Sequence, residues 1–364
     1  MGKKCIKILI MLGCITLFFA GCSSKRNAKK QNENTAKESK ADQFPSAYQH
    51  KSDRVEIKCN LEIPKDFNIK KFHEIKKCEL KYVNEEKAVA QYVKGKQIKE
   101  KFTNPATDNA QEENGYTLED GTNIDIGDGF TFGSKNFKYY GNVGIADGEN
   151  QEVYSKERVN FASAKTCIKK VEQAVQKLDY PVEEFEFVCY PLNHKVMKTM
   201  EEKYMKQQLI EKKDQKGQWT SADDAYMIYA FQKKEKLPVF HELMSIERQF
   251  AYDTPDNAPI QAIYSSRGME SLMINNVYTF SNSSKVVTLK NFDEIAKVVE
   301  DKFNNVLNDK TYTVNRAKLC ERVYKDKNQK YKAEPVWYFE VMESGTKKSV
   351  TLVNAETGKE RYLK

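Results

Sequence analysis

The sequence predicts an α+β fold: antiparallel sheets with helices on one face, a β-rich N-terminal domain and a duplicated helix-plus-strands unit behind it. Three observations carry this. Val55, Ile57, Cys59, Leu61 and Ile63 alternate strictly with polar residues, the period of a half-buried strand. Between Tyr116 and Val143 short aromatic runs are separated by Asp120-Gly121, Gly127-Asp128-Gly129, Gly133-Ser134 and Gly141-Asn142, the punctuation of a hairpin meander. Asn160-Phe161 and Asn291-Phe292 each open a one-faced amphipathic helix that leads into strand-like sequence.

In chain order, the first strand ends at Pro64 and a second runs through Glu79–Val83. Asn84 is placed to cap a short helix that continues to Val93 and stops at Gly95. With the meander, these elements define the β-rich domain at about 54–155. The first helix of the following domain, 156–364, carries Phe161, Ala164, Ile168, Val171, Ala174, Val175 and Leu178 on one face. The second carries Phe292, Ile295, Ala296, Val299, Phe303, Val306 and Leu307. Glu184–Tyr190 follows the one and Thr311–Tyr324 the other. A Pro-Val pair beside aromatic strand residues then appears in each, Pro238-Val239 after Tyr226–Phe231 and Pro335-Val336 before Trp337. The first unit, about 156–280, also holds a charged helix at 193–213 and a hairpin, Ile260–Tyr264 with Leu272–Tyr278 around Ser265–Gly268. The second unit is 285–364. Helices followed by antiparallel strands pack as layers over one sheet face.

The start of the chain is different. Lys3, Lys4 and Lys7 precede an apolar run from Ile8 to Ala20, roughly 20 Å long as a helix. That is too short for a bilayer core of about 30 Å, so the run reads as a removable leader. Phe19-Ala20-Gly21-Cys22 resembles the lipobox of bacterial lipoproteins, with Phe19 where leucine is usual. The resemblance implies a signal peptide at 1–21, cleavage between Gly21 and Cys22, and a diacylglyceryl thioether on Cys22. Two acyl chains anchor stably where one does not. The expected location is the outer, extracytoplasmic face of the cell membrane. Residues 22–53, rich in Lys, Asn, Gln, Ser and Ala, read as a disordered tether.

Loss of the leader lowers the formal charge from +8 to +5, a mild excess suited to anionic lipids and wall polymers. Lysines are dispersed among Glu and Asp rather than gathered with aromatics, so nucleic acid is not an expected partner. Cys59, Cys78, Cys167, Cys189 and Cys320 remain, an odd number. Cys59 and Cys78 lie on neighbouring strands, either as a disulfide or as buried thiols.

The ending Pro335-Val336-Trp337-Tyr338-Phe339, followed by Ser349–Val353 and Asn354-Ala355-Glu356-Thr357-Gly358, resembles the last strands of PepSY-like modules. It is also similar to the C-terminal part of the YycI/YycH-type extracytoplasmic regulators of Gram-positive sensor kinases. The resemblance implies a non-enzymatic domain that binds a partner, such as a membrane sensor kinase, a protease or a wall component. Trp337 belongs either to the core, against the Phe292, Ile295, Val299 and Phe303 stripe, or to an exposed partner-binding anchor.

Chemistry-bearing motifs are sparse. His73 with Cys59 and Cys78 matches no zinc spacing. Asp120, Asn123, Asp125 and Asp128 lack the order of a calcium loop and read as turns. Gly127-Asp128-Gly129 has no helix behind it, and His241-Glu242 lacks the second histidine of a zinc protease. Glu183-Glu184 and Asp223-Asp224 read as helix-start or loop charges. No catalytic residue, metal or cofactor is therefore expected. The rival reading is a cell-envelope hydrolase, whose two carboxylates need not be neighbours in sequence.

Overall fold

The computed structural model describes residues 44–65, 67–107, 110–144, 148–241 and 258–362. Strands β1 (Ala47–Lys51) and β2 (Val55–Glu62) pair antiparallel, and the alternation of β2 buries Val55, Ile57, Cys59 and Leu61. After β3 (His73–Leu80), Asn84 caps α1 (Glu85–Tyr92) by accepting the Lys87 backbone N–H. The meander follows as β4 (Ile98–Asn104), β5 (Glu113–Leu118), β6 (Asn123–Ile126) and β7 (Phe130–Gly133). Its last expected turn, Gly141-Asn142, is instead inside α2 (Phe137–Gly144). Packing overrides turn propensity here: Gly144 lies so close to Leu192 that a Cβ would stand 2.8 Å from its Cδ1, and Tyr140 is fully buried.

Beyond α3 (Gly148–Ser155) comes α4 (Ala164–Lys177). Its cap is Ser163, whose hydroxyl accepts the Thr166 N–H at 3.2 Å, rather than Asn160. Then come β8 (Phe185–Leu192), α5 (His194–Lys206) capped by Asn193, β9 (Ala225–Lys234) and β10 (Leu237–His241). The expected hairpin is present as β11 (Ile260–Ser265) and β12 (Gly268–Ile274), but its second strand starts at Gly268 rather than Leu272, and Tyr278 opens β13 (Tyr278–Val286). Asn291 caps α6 (Phe292–Asn304), and the chain closes with β14 (Tyr312–Lys325), β15 (Tyr331–Glu343), β16 (Lys347–Asn354) and β17 (Glu360–Arg361).

The expected α+β class holds, with six helices among the described residues and sheets that are predominantly antiparallel. One antiparallel run has the order β8-β9-β11-β12-β7-β6-β5-β4. A second run is β17-β16-β15-β14. The far edge of β14 is shared end to end by two parallel neighbours, β2 beside Tyr312–Lys318 and β10 beside Glu321–Val323. Because β10 turns back from β9, the two runs join into one sheet. A separate two-stranded ribbon is formed by β3 and β13.

A helix followed by three mutually paired strands occurs twice, as α4 with β8, β9 and β11, and as α6 with β14, β15 and β16. The two Pro-Val pairs are not equivalent, however. Pro335-Val336 lies inside β15, whereas Pro238-Val239 starts β10, an excursion that the second unit lacks. In the first unit α4 covers one face of β9, through Cys167, Val171 and Val175 against Ile228 and Ala230. The helices α2, α3 and α5 cover the other, where Tyr140, Tyr154, Met197 and Met200 meet Met227 and Tyr229.

The hydrophobic cores do not divide at residue 155. β2 shares a core with α6, β14 and β15, while α1 and β5–β7 share theirs with α4, β9 and β11. The stretch 54–155 therefore builds no core of its own, because its strands find their partners in the second half of the chain. The tether reading also needs correction for residues 44–53. The Phe44 ring lies edge-on to Trp337 at 5.3 Å and Tyr48 edge-on to Phe292 at 5.0 Å. Sparse aromatics in a polar stretch escape a compositional argument but are enough to pin a strand.

Arg54 follows directly on that stretch. Its guanidinium donates to the carbonyls of Asn304, the last residue of α6, and of Val306 and Asn308 just beyond it. Arg54→Ala should lower the unfolding free energy by about 1.5–3 kcal/mol, the usual range for hydrogen bonds from a charged group. Denaturant titration measures it, and an unchanged midpoint would remove Arg54 from the account.

Trp337 is fully buried, 4.7 Å from the Phe292 ring centroid, so the exposed partner-anchor reading is corrected and the core reading stands. Its strand is buried on both faces, with Val336 and Tyr338 packing on Phe240, Cys320 and Leu352. Trp337→Ala should cost about 3–5 kcal/mol. Trp337→Phe should cost much less, since the indole N–H makes no hydrogen bond that the change would forfeit. Equal losses in the two variants would contradict this packing role.

Candidate functional site

The ribbon of β3 and β13 lies across the far end of the β14–β15 hairpin. Its inner side chains, Ile75, Cys78, Leu80, Tyr278 and Phe280, pack on Val239, Val323, Tyr331 and Ala333. Ser281 pairs with Lys77 and Asn282 with Ile75, so Lys76 is an extra, bulged residue in β3. The bulge lets Ile75 and Cys78 both join the core although they are three positions apart, and it leaves Lys76 and Lys77 exposed side by side. Opposite, the Asp326 carboxylate folds the hairpin tip by accepting the N–H groups of Asn328 at 2.8 Å and Lys330 at 3.0 Å. The Lys330 hydrogen bond is the chief reason that carboxyl is held below its ordinary range.

Between ribbon and hairpin is a basin of about 1140 Å³. Six lysines line it, Lys76, Lys77, Lys81, Lys325, Lys330 and Lys332, against the carboxylates of Glu79 and Asp128. Lys77 pairs with Glu79 at 2.7 Å and Lys81 approaches Asp179 at 3.6 Å. Asp128 accepts the Gln111 N–H. Lys76, Lys325, Lys330 and Lys332 have no carboxylate within ion-pair distance among the described residues; Lys325 lies over the Tyr331 ring at 5.0 Å.

A smaller polar pocket of about 480 Å³ shares Lys76 and Lys332 with the basin. At its wall Glu334 is saturated by Arg322 at 2.6 Å, Arg361 at 2.8 Å and the Asn354 amide at 2.7 Å. Glu321, one residue from Arg322 on β14, is 1% exposed and its Oε2 makes no hydrogen bond. Burial, then the neighbouring Glu334 charge, pushes its carboxyl well above the ordinary range. Two carboxylates beside one pocket invite a general acid and base reading. Here Glu334 has both oxygens engaged by Arg322, Arg361 and Asn354, while Glu321, which also lines the pocket, is buried with no partner for its Oε2. The Cys78 thiol, which also lines the basin, is buried and pushed up to about 12, the opposite of an activated nucleophile.

The other sequence candidates fall as follows. Gly21 and Cys22 lie outside the described residues. Cys59 and Cys78 are free and occupy different cores, so they form no disulfide. Among the described residues no group of His, Cys, Asp and Glu is arranged to hold a metal. Asp120 accepts the Thr122 N–H of its own turn, and Asn123 accepts the Thr117 hydroxyl. The pair Asp223-Asp224 is split between Lys216 with Arg267 and His194. Glu184 accepts from Gln232, and Glu183 begins a short 3-10 turn with it. The His241-Glu242 side chains lie outside the described residues. The basin lysines escaped the sequence reading because Lys76–Lys81 and Lys325–Lys332 are far apart in the chain, each diluted by acidic or apolar neighbours. A local count of Lys in 325–332 was the one available signal.

No family model matches the sequence, and comparison with curated proteins gives no match. Among solved structures the chain is similar to an uncharacterized protein from Eubacterium rectale, with TM-score 0.60 and 14% identity over 88% of this chain and 94% of that one. That likeness shows a shared fold. A second neighbour is the Bacillus megaterium YpeB C-terminal domain, with TM-score 0.32 and 8% identity over 77% of this chain and 94% of that one. A score that low carries no argument.

Glu321 generates a test of the pocket electrostatics. Its raised pKa means that the folded protein keeps this proton where the unfolded chain releases it, so its contribution to stability is present below about pH 4.5 and fades as pH rises toward the folded value. Glu321→Gln should match the parent near pH 4.5 and melt a few degrees higher at pH 7.5. A gap between the two that stays constant with pH would refute the burial account.

Proposed function

We propose that this protein is an extracytoplasmic lipoprotein that acts by binding rather than by bond-making. In this reading a diacylglyceryl group on Cys22 holds it at the cell membrane, and the cleft between the β3–β13 ribbon and the β14–β15 hairpin holds an acidic partner. The partner is a component of the envelope, either a sensor kinase or protease at the membrane or a wall component. The observation that carries the reading is the set of basin ammonium groups without carboxylates, an unspent positive potential in a concave surface. The two helix-plus-three-strand units support the PepSY-like reading of the sequence. The Ile8–Ala20 run ending in Gly21-Cys22 supports the anchor. A wall hydrolase would need a carboxylate pair free for its substrate, and of the two that line the smaller pocket Glu334 is held by Arg322, Arg361 and Asn354.

In intact cells Cys22→Ala should leave the precursor uncleaved and unlabelled by a clickable fatty acid. Photo-crosslinking from Tyr82, 40% exposed at the basin rim, should yield an adduct that depends on Cys22. Full labelling of the variant would end the anchor reading. Failure to crosslink, together with wall-degrading activity of the purified protein, would end the binding reading.

A further inference from the structure

The chemistry of the basin says more about its ligand than that it is acidic. Every cation lining it is a lysine. Arginine fixes a carboxylate or a phosphate through two parallel hydrogen bonds from a rigid fork, whereas lysine is a mobile point charge that imposes no such geometry and can follow a ligand whose charges repeat. Next door, Arg361 forks onto the carboxylate of Glu334 through Nε and Nη2 while Arg322 adds a contact from Nη1, and no arginine lines the basin. The volume, about 1140 Å³, exceeds the usual 300–1000 Å³ of a small-molecule site, so the lysines are spread over more space than one phosphate fills. A ligand that satisfies them all must repeat its charge along an extended body. The basin is also poor in apolar anchors. Its aromatic groups are Tyr82 at the rim and the half-buried Tyr331, too little for the desolvated hot spot that a protein segment would need. A flat bilayer surface cannot reach the floor of a concave basin.

From these features we infer that the basin binds a linear phosphodiester polymer, a polyol-phosphate chain of the kind found in cell walls, held by Lys76, Lys325, Lys330 and Lys332. The inference rests on the reading of this cleft as a binding site and commits it to one ligand class. Lysine heads that are free to rotate follow successive phosphates without fixing the sugar or polyol between them. Binding is then selective for charge type and spacing, and falls steeply with salt as counterions are released.

The test uses the full-length lipidated protein in neutral detergent micelles, with fluorescein-labelled synthetic poly(glycerol phosphate) followed by anisotropy. Saturable binding is expected, weakening sharply as salt rises. The combined substitution Lys76→Gln, Lys325→Gln, Lys330→Gln and Lys332→Gln should weaken it at least about tenfold. An equal loss of charge on the exposed face of α4, through Lys165→Gln, Lys169→Gln, Lys170→Gln and Lys177→Gln, should leave affinity within about twofold. Lys330→Glu alone, at the exposed hairpin tip, gives an independent check should the fourfold variant fold poorly, and should weaken binding several-fold. The inference is overturned if no saturable binding is seen or if the α4 variant loses as much as the basin variant. Equal competition by poly-L-glutamate at matched charge would make this a site for acidic protein segments and overturn it too. So would equal competition by phosphatidylglycerol doped into the micelles, which would make it a headgroup site. If the polymer fails while the Tyr82 crosslink persists, this ligand is refuted and the binding function stands. If both fail, both are refuted.

Discussion

Strand β14 is the constraint on which the rest of the structure depends. One of its edges is filled along its whole length by β15. The other is filled in two pieces, by β2 from the start of the described chain and by β10 from the middle. The second half of β14 is also buried on both faces, while Thr313 and Asn315 in its first half stay exposed. Val314, Ala317 and Leu319 meet α6 and Trp337 on one side, while Cys320 meets Phe240 and Tyr338 on the other. Backbone groups that would otherwise be orphaned inside the protein are thus paired with segments drawn from three distant regions. This arrangement ties the β-rich N-terminal region into cores shared with the second half of the chain.

The cleft is a by-product of the same strand. Past the end of β16 the β14–β15 hairpin continues alone, so its last residues lack a sheet neighbour on the β16 side. The β3–β13 ribbon packs on this projecting end and leaves the basin between them. Strong side-chain chemistry divides accordingly. Where the hairpin meets the sheet, arginines and glutamates neutralise one another around Glu334, and Glu321 is buried at a cost in charge. Toward the tip, Lys325, Lys330 and Lys332 outnumber the Asp326 carboxylate that folds the turn, and none of the three is ion-paired among the described residues. The first arrangement holds the fold together, and the second leaves a field available to a ligand.

The lysine basin and the buried core illustrate opposite uses of long side chains. Arg54 stretches across the end of α6 and spends its donors on the carbonyls of Asn304, Val306 and Asn308. The basin lysines have comparable reach but no such acceptors nearby. A bulge at Lys76, set in the pairing of β3 with β13, and a local aspartate-folded turn at Asp326 aim them.

What the sequence determined by itself was local. Period-2 alternation was enough for β2, and asparagine caps were enough for α1 and α6, because a cap and a period are satisfied within a few residues. The Ser265–Gly268 hairpin was legible for the same reason. Tertiary structure decided what depends on partners far along the chain. The sequence could not say that β2 and β10 lie parallel to β14, since nothing in a strand encodes which distant edge it will meet. Phe44 and Tyr48 looked like stray aromatics until Trp337 and Phe292 were brought beneath them, and Gly141-Asn142 became helical because Leu192 and Tyr140 pack there. Trp337 read equally well as core or as exposed anchor, for burial is a property of neighbours. The basin was the least visible of all: lysines that look dispersed along the chain concentrate their charge only when the ribbon crosses the hairpin, and Coulomb interaction follows distance in space rather than separation in sequence.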